Sequence, residues 1–158
     1  MSAGTGGAVK LDAHGLMIQL PRGWSGRLFR RTGTVATLHA ASYALPLRDG
    51  EFGDESTAAM PAGGVFLALT EYETGRGLEA GAGLFASKRI PLPLDPTRFG
   101  RDRLAHPRPG QLGMQHFFST SGRPLCLYVV MSGGRGVRRA RLAALNQILG
   151  SLRISAPG

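Results

Sequence analysis

Seven apolar or aromatic residues follow one another without a break at Leu125-Cys126-Leu127-Tyr128-Val129-Val130-Met131. The run is far short of the ~20 residues a membrane-crossing helix needs. Its β-branched and aromatic content suits a strand covered on both faces. Ser132-Gly133-Gly134-Arg135-Gly136 follows at once, and then comes the long amphipathic segment Val137 to Leu152. Within it, Leu142, Leu145, Ile148, Leu149 and Leu152 share one helical stripe. An internal strand, a glycine-rich turn and a covering helix are the predicted centre of the fold.

The 24 glycines and 10 prolines cut the remainder into short elements, which favours a sheet over a bundle. Leu16 to Leu20 reads as a strand ended by Pro21, with Trp24 folding back over the core. Leu28-Phe29, flanked by Arg27, Arg30 and Arg31, reads as a second and partly exposed strand. Thr37 to Leu45, Val65 to Tyr72 and Met114 to Ser119 supply three more. Ser121-Gly122-Arg123-Pro124 is expected to turn the last of these into the internal strand as a hairpin. A short helix is expected over 54–60 with Asp54 as its cap, and about two helical turns after Asp95-Pro96. Residues 74–94 carry no periodic pattern. The predicted fold class is α+β, an antiparallel sheet of five to seven strands packed against helices, with the C-terminal helix on one face. Residues 1–12 are expected to form a flexible leader and 13–156 a single globular domain.

Charge is unevenly placed. Residues 1–88 hold eight Lys or Arg and eight Asp or Glu, whereas 89–158 hold eleven Arg against Asp95 and Asp102 alone, so the second half carries the whole net charge of +9. Such a half attracts an acidic protein, nucleic acid or anionic headgroups. A solubilising role competes with these, because 17 of the 19 basic residues are Arg, a bias that GC-rich coding produces. The partners expected are an unidentified protein, acidic in character, or nucleic acid, with a homodimer as a further form of association. Leu16, Met17 and Ile18, or Leu92 and Leu94, are alternative partner surfaces. The N-terminal residues have neither a basic segment nor an apolar one of the signal-peptide kind, which points to a cytoplasmic protein.

Chemistry-bearing constellations are sparse. His14, His39, His106 and His116 lack metal-ligand spacing and there is no cysteine pair, so no metal and no cofactor is predicted. His39 and His116 both fall on predicted strands, where a hydrogen-bonded pair is the simpler reading. Cys126, inside the apolar run, reads as a small buried hydrophobe. Glu71 and Glu73, two apart on a strand, read as a solvated face. No Gly-x-Ser-x-Gly elbow exists, so no catalytic residue is assigned and an enzyme is not favoured. A hydrolase-like alternative would need His39 or His116 beside Glu71, Glu73 or a serine in a cleft. The anion-binding candidates are Gly133, Gly134, Arg135, Gly136, Arg138 and Arg139, where a buried strand meets a helix N-terminus. The Lys-Ser/Thr of a phosphate loop and the Gly-x-Gly-x-x-Gly of dinucleotide sites are missing.

Two terminal segments carry a family likeness. Gly15-Leu16-Met17-Ile18-Gln19-Leu20-Pro21-Arg22-Gly23-Trp24 is a strand running into a Pro-x-Gly-Trp turn, and a late strand leads into a helix ending Leu145-Asn146-Gln147-Ile148-Leu149-Gly150-Ser151-Leu152-Arg153. This ordering resembles the PsbP-like α/β sandwich, and it is similar to small proteins of GC-rich bacteria. The resemblance covers about 60 residues. It implies an antiparallel sheet packed on helices and a non-catalytic role as accessory subunit, adaptor or chaperone-like module. It brings no catalytic motif to any position here.

Overall fold

The structure is a computed structural model that describes residues 2–3, 8–30, 35–75 and 77–156. Along the chain run β1 (Ser2–Ala3), β2 (Val9–Ala13), β3 (Leu16–Leu20), β4 (Ser25–Arg30), β5 (Ala36–Ala41), α1 (Asp54–Ala58) and β6 (Val65–Glu71). Then follow β7 (Gln111–Thr120), β8 (Arg123–Ser132), α2 (Arg135–Gly150) and β9 (Arg153–Ile154). Single 3-10 turns at Gly83–Phe85, Pro96–Arg98 and Arg101–Arg103 interrupt the long connection before β7. The fold is α+β, with two antiparallel sheets and a C-terminal helix. One sheet has six strands in the order β1-β4-β5-β6-β8-β7, and the other has three in the order β2-β3-β9.

Strand β8 contains the seven-residue apolar run and is buried along its entire length. It pairs with β6 on one side and β7 on the other. Its side chains alternate between faces, as a period of two requires. Leu125, Leu127, Val129 and Met131 join the larger core with the smaller sheet and Leu145, Ile148 and Leu149 of α2. Tyr128 and Val130 join a second cluster with Phe66 and Ala68 on the opposite face. Both faces are covered, so neither has to alternate with polar residues.

Hairpin chemistry fixes the register. Thr120 pairs with Arg123 across Ser121-Gly122, whose φ values are 52° and 72°. Two successive positive φ angles give the turn whose twist matches the flanking strands. Arg123 and Pro124, expected in this turn, are strand residues instead. His14-Gly15 makes the equivalent connection between β2 and β3, at φ 56° and 76°.

The free edge of β7 is covered by its own preceding connection. Gly100 and Gly113 exchange both backbone bonds, Ser119 donates its N–H to the Ser87 carbonyl, and Arg98 donates to the Gln115 carbonyl. This protects the edge from pairing with another chain.

Several expectations need correction. The strand Val9–Ala13 overlaps the segment 1–12 expected as a flexible leader and belongs to the smaller sheet, because Leu11 is buried opposite Ile18. Arg31, expected to flank the second strand, lies outside the described residues, as do residues 1 and 4–7. That strand is partly exposed as expected, with Leu28 fully buried, Arg27 and Phe29 half-buried and Arg30 exposed. The third strand stops at Ala41, before Leu45. Asp54 does not cap α1: the N-cap is Gly53. The carboxylate serving that helix is Asp49, which accepts the N–H groups of Glu55 and Ser56 (2.9 and 2.8 Å) and the Ser56 hydroxyl. Burial works to raise the Asp49 pKa, but these bonds outweigh it and hold the carboxyl below its ordinary value. After Asp95 a single 3-10 turn forms instead of two helical turns, with the Asp95 carboxylate accepting the Thr97 N–H (2.9 Å).

Candidate functional site

The buried polar groups divide into those that hold the fold together and those left to meet something else. Glu71 and Arg123, expected to be solvated or in a turn, are an internal ion pair. Arg123 is 1% exposed and donates Nε to Glu71 Oε2 (3.0 Å) and Nη2 to Oε1 (2.9 Å). The same Glu71 oxygen accepts the Ala36 N–H (2.9 Å), and Arg123 Nη1 donates to the Ser155 carbonyl (2.9 Å). A Cβ on Gly15 would lie 2.5 Å from Arg123 Nη1, so the β2–β3 turn closes over the guanidinium only because that residue is glycine. Five segments meet at this pair, and its bonds are consumed internally. Glu73 lies beyond the strand end and is exposed, so the two carboxylates share no face.

The histidines are separated. His39 is buried on β5 between the Phe29 and Phe66 rings, with Nε2 donating to the Glu51 carbonyl (2.8 Å). His116 is on β7, with β6 and β8 between the two. Its Nε2 lies 2.8 Å from the Arg89 carbonyl and 3.4 Å from Ser87 Oγ, while Nδ1 faces Arg98 Nη2 at 3.3 Å. A guanidinium only donates, so Nδ1 accepts and Nε2 carries the proton. The imidazole therefore cannot take a proton from Ser87, and no carboxylate orients it. The histidine–serine contact of the hydrolase-like reading is thus present as His116 and Ser87, but in the tautomer that cannot serve as its base. Burial pushes the Cys126 thiol up to about 12, so it stays protonated and unreactive at neutral pH. Among the described residues there is no group of three or more His, Cys, Asp or Glu able to hold a metal, and no helix long and apolar enough to cross a membrane.

The arginines of the second half divide in the same way. Seven of the eleven donate to backbone carbonyls: Arg98, Arg103, Arg108, Arg123, Arg138, Arg141 and Arg153. They stitch loops to elements, which a charge count does not reveal. Arg108 also pairs with Asp54 (2.6 Å), on the protein surface.

The predicted anion-binding segment is split by the fold. Ser132 ends β8, donating its N–H to the Gly64 carbonyl and its hydroxyl to Pro61. Gly133 sits at φ 100° against Gly63, and a Cβ there would come within 3.1 Å of the Gly63 Cα. Gly134 is the helix N-cap, and Gly136 lies inside the first turn. Gly133, Gly134 and Gly136 thus serve the strand-to-helix connection and do not line a cavity. Arg135, Arg138 and Arg139 do. With Pro96, Thr97, Phe99, Leu112, Met131 and Leu142 they enclose a cavity of about 390 Å³ between α2, the end of β7–β8 and the Pro96–Arg98 turn.

Helix geometry explains why these arginines stand there. Arg135, Arg138, Leu142, Leu145 and Leu149 are spaced i, i+3, i+7, i+10 and i+14, which is a single stripe. The stripe is apolar where it crosses the sheet, with Leu145 and Leu149 buried, and turns cationic in its first two turns. Arg139 flanks it. The periodicity was visible in the sequence, but reading it over the leucines alone missed that two arginines continue the same stripe. Arg138 is half-buried and donates to the Gly133 carbonyl (2.8 Å). Arg135 and Arg139 are exposed and have neither a hydrogen bond nor an ion pair among the described residues. No carboxylate lies in α2, and cations near a helix N-terminus are disfavoured by about 0.3–1 kcal/mol each. Asp95, beside the cavity, is committed to the Thr97 N–H and hydroxyl.

The other surfaces expected to meet partners are largely internal. Leu16, Ile18 and Leu94 are core residues, and Leu92 stands 43% exposed by itself. Comparison of the chain with protein-family models, curated proteins and solved structures finds no match.

Proposed function

We propose that this protein is a non-enzymatic binding or adaptor module and that it receives an acidic partner protein on the cationic end of α2. The observation that carries this reading is the change of one helical stripe from buried leucines to Arg138 and Arg135 over an open cavity, with Arg139 alongside. Arg135 and Arg139 have neither the carboxylate that Glu71 gives Arg123 nor the backbone carbonyl that Gly133 gives Arg138 among the described residues. The resemblance to PsbP-like accessory and adaptor proteins points the same way. Nucleic acid is the less favoured partner, since most of the aromatic rings that would stack bases are packed in clusters such as Tyr72, Phe85 and Phe117.

The test is retention on immobilised polyglutamate across a salt gradient. Arg135→Ala, Arg138→Ala and Arg139→Ala together should cost about tenfold in affinity at low salt, and the difference should shrink as salt screens the contact. The control triple Arg22→Ala, Arg48→Ala and Arg89→Ala removes the same charge from exposed sites elsewhere. Equal losses from the two triples would overturn a localised face.

A further inference from the structure

Resting on the reading that the cationic end of α2 binds an acidic partner, we propose that the cavity beneath it receives one large apolar side chain, carried by an acidic segment of that partner. The cavity has two chemically distinct parts. Its floor is apolar, made by Phe99, Leu112, Met131 and Leu142, and its rim carries three guanidiniums. At about 390 Å³ it is near the lower end of the ~300–1,000 Å³ range of ligand sites, a size that suits a single aromatic or branched side chain.

The rim decides what kind of ligand brings that side chain. Arginines at i, i+3 and i+4 are neighbours on a helix surface. Arg135 and Arg139 are exposed and each offers a fork that matches one carboxylate, while Arg138 keeps one nitrogen on the Gly133 carbonyl and adds its charge beside them. One carboxylate, as on a fatty acid or a small aromatic acid, satisfies one fork and leaves the other without a partner. Several carboxylates spaced along an extended peptide satisfy both while its apolar residue points down between them. Hydrophobic burial then supplies residence time, and the charges supply orientation and encounter rate.

The probes are fluorescein-labelled heptapeptides of aspartate and glutamate with a central phenylalanine or a central alanine, a serine-substituted version that keeps the phenylalanine, and a single-stranded oligonucleotide. Fluorescence anisotropy with the intact protein should give tightest binding to the acidic phenylalanine peptide. Replacing that phenylalanine by alanine should weaken binding about tenfold or more, and removing the acids should abolish it. Thr97→Trp, at an exposed position on the cavity mouth, should weaken the phenylalanine peptide toward the level of the alanine peptide. Equal affinity for the phenylalanine and alanine peptides, with loss of both in the arginine triple variant, would overturn the side-chain pocket and leave the acidic-partner reading standing. Binding of the oligonucleotide in preference to every acidic peptide, or of none of the probes, would overturn both.

Discussion

Replacing Arg123 by Ala should lower the free energy of unfolding by about 3–5 kcal/mol, the usual result of leaving a buried charge without its partner. The mechanism is specific to this site. Removing the guanidinium strands the Glu71 carboxylate at 8% exposure and leaves the carbonyl of Ser155 without its donor, in the residue whose N–H holds the Gly15 carbonyl of the β2–β3 turn. Urea denaturation followed by far-ultraviolet circular dichroism measures the change. The double replacement Arg123→Met with Glu71→Leu should recover most of the loss, because two apolar side chains need no mutual desolvation. Glu71→Leu would still leave the Ala36 N–H without its acceptor, so recovery should be incomplete. A single-variant loss below about 1 kcal/mol, the scale of a surface pair, would show that water reaches the site.

Leu145→Ala should cost about 2–5 kcal/mol through lost transfer energy and an unfilled cavity. Leu145 is fully buried at the middle of the α2 stripe, where the helix lies on the core formed by β8 and the smaller sheet. The neighbouring Asn146 accepts the Leu94 N–H with Oδ1 (2.9 Å), which ties the proline segment to the same helix. Gln147→Ala, on the exposed side, should change stability by no more than about 0.5 kcal/mol. An unchanged denaturation midpoint for Leu145→Ala would mean that α2 is not packed on the sheet. Since the same helix presents the arginines, it would also remove the basis for the site.

The sequence was most legible where one physical signal dominated. Leu125 to Met131 had to be an internal strand because nothing in it tolerates water, and Ser121-Gly122 had to turn because it accepts positive φ. Legibility failed where the decisive partner is distant in the chain. Arg123 beside Gly122 and Pro124 looks like turn chemistry, and only Glu71, 52 residues earlier, makes it a core residue. Asp54 has the local pattern of a cap, yet Asp49 reaches across the loop and does that work. At the candidate site the glycines looked functional because loop glycines precede anion sites. Gly133 instead packs closely against Gly63 and Gly134 is the helix N-cap, and the arginines were the informative half of the motif. Net charge alone overstated the free cationic surface, because backbone carbonyls accept from seven of the eleven arginines.

The central claim is that the arginine-bearing end of α2 and the cavity beneath it form one binding surface. Amide shift mapping by nuclear magnetic resonance tests it most directly: the ¹⁵N-labelled protein is titrated with the acidic phenylalanine peptide at low salt. The account predicts saturable shifts confined to Gly134–Leu142, Thr97–Phe99 and Leu112, with β4 and β5 unmoved. Shifts centred on Arg22, Arg27 and Arg48, or spread over every exposed arginine with no saturation, would contradict it.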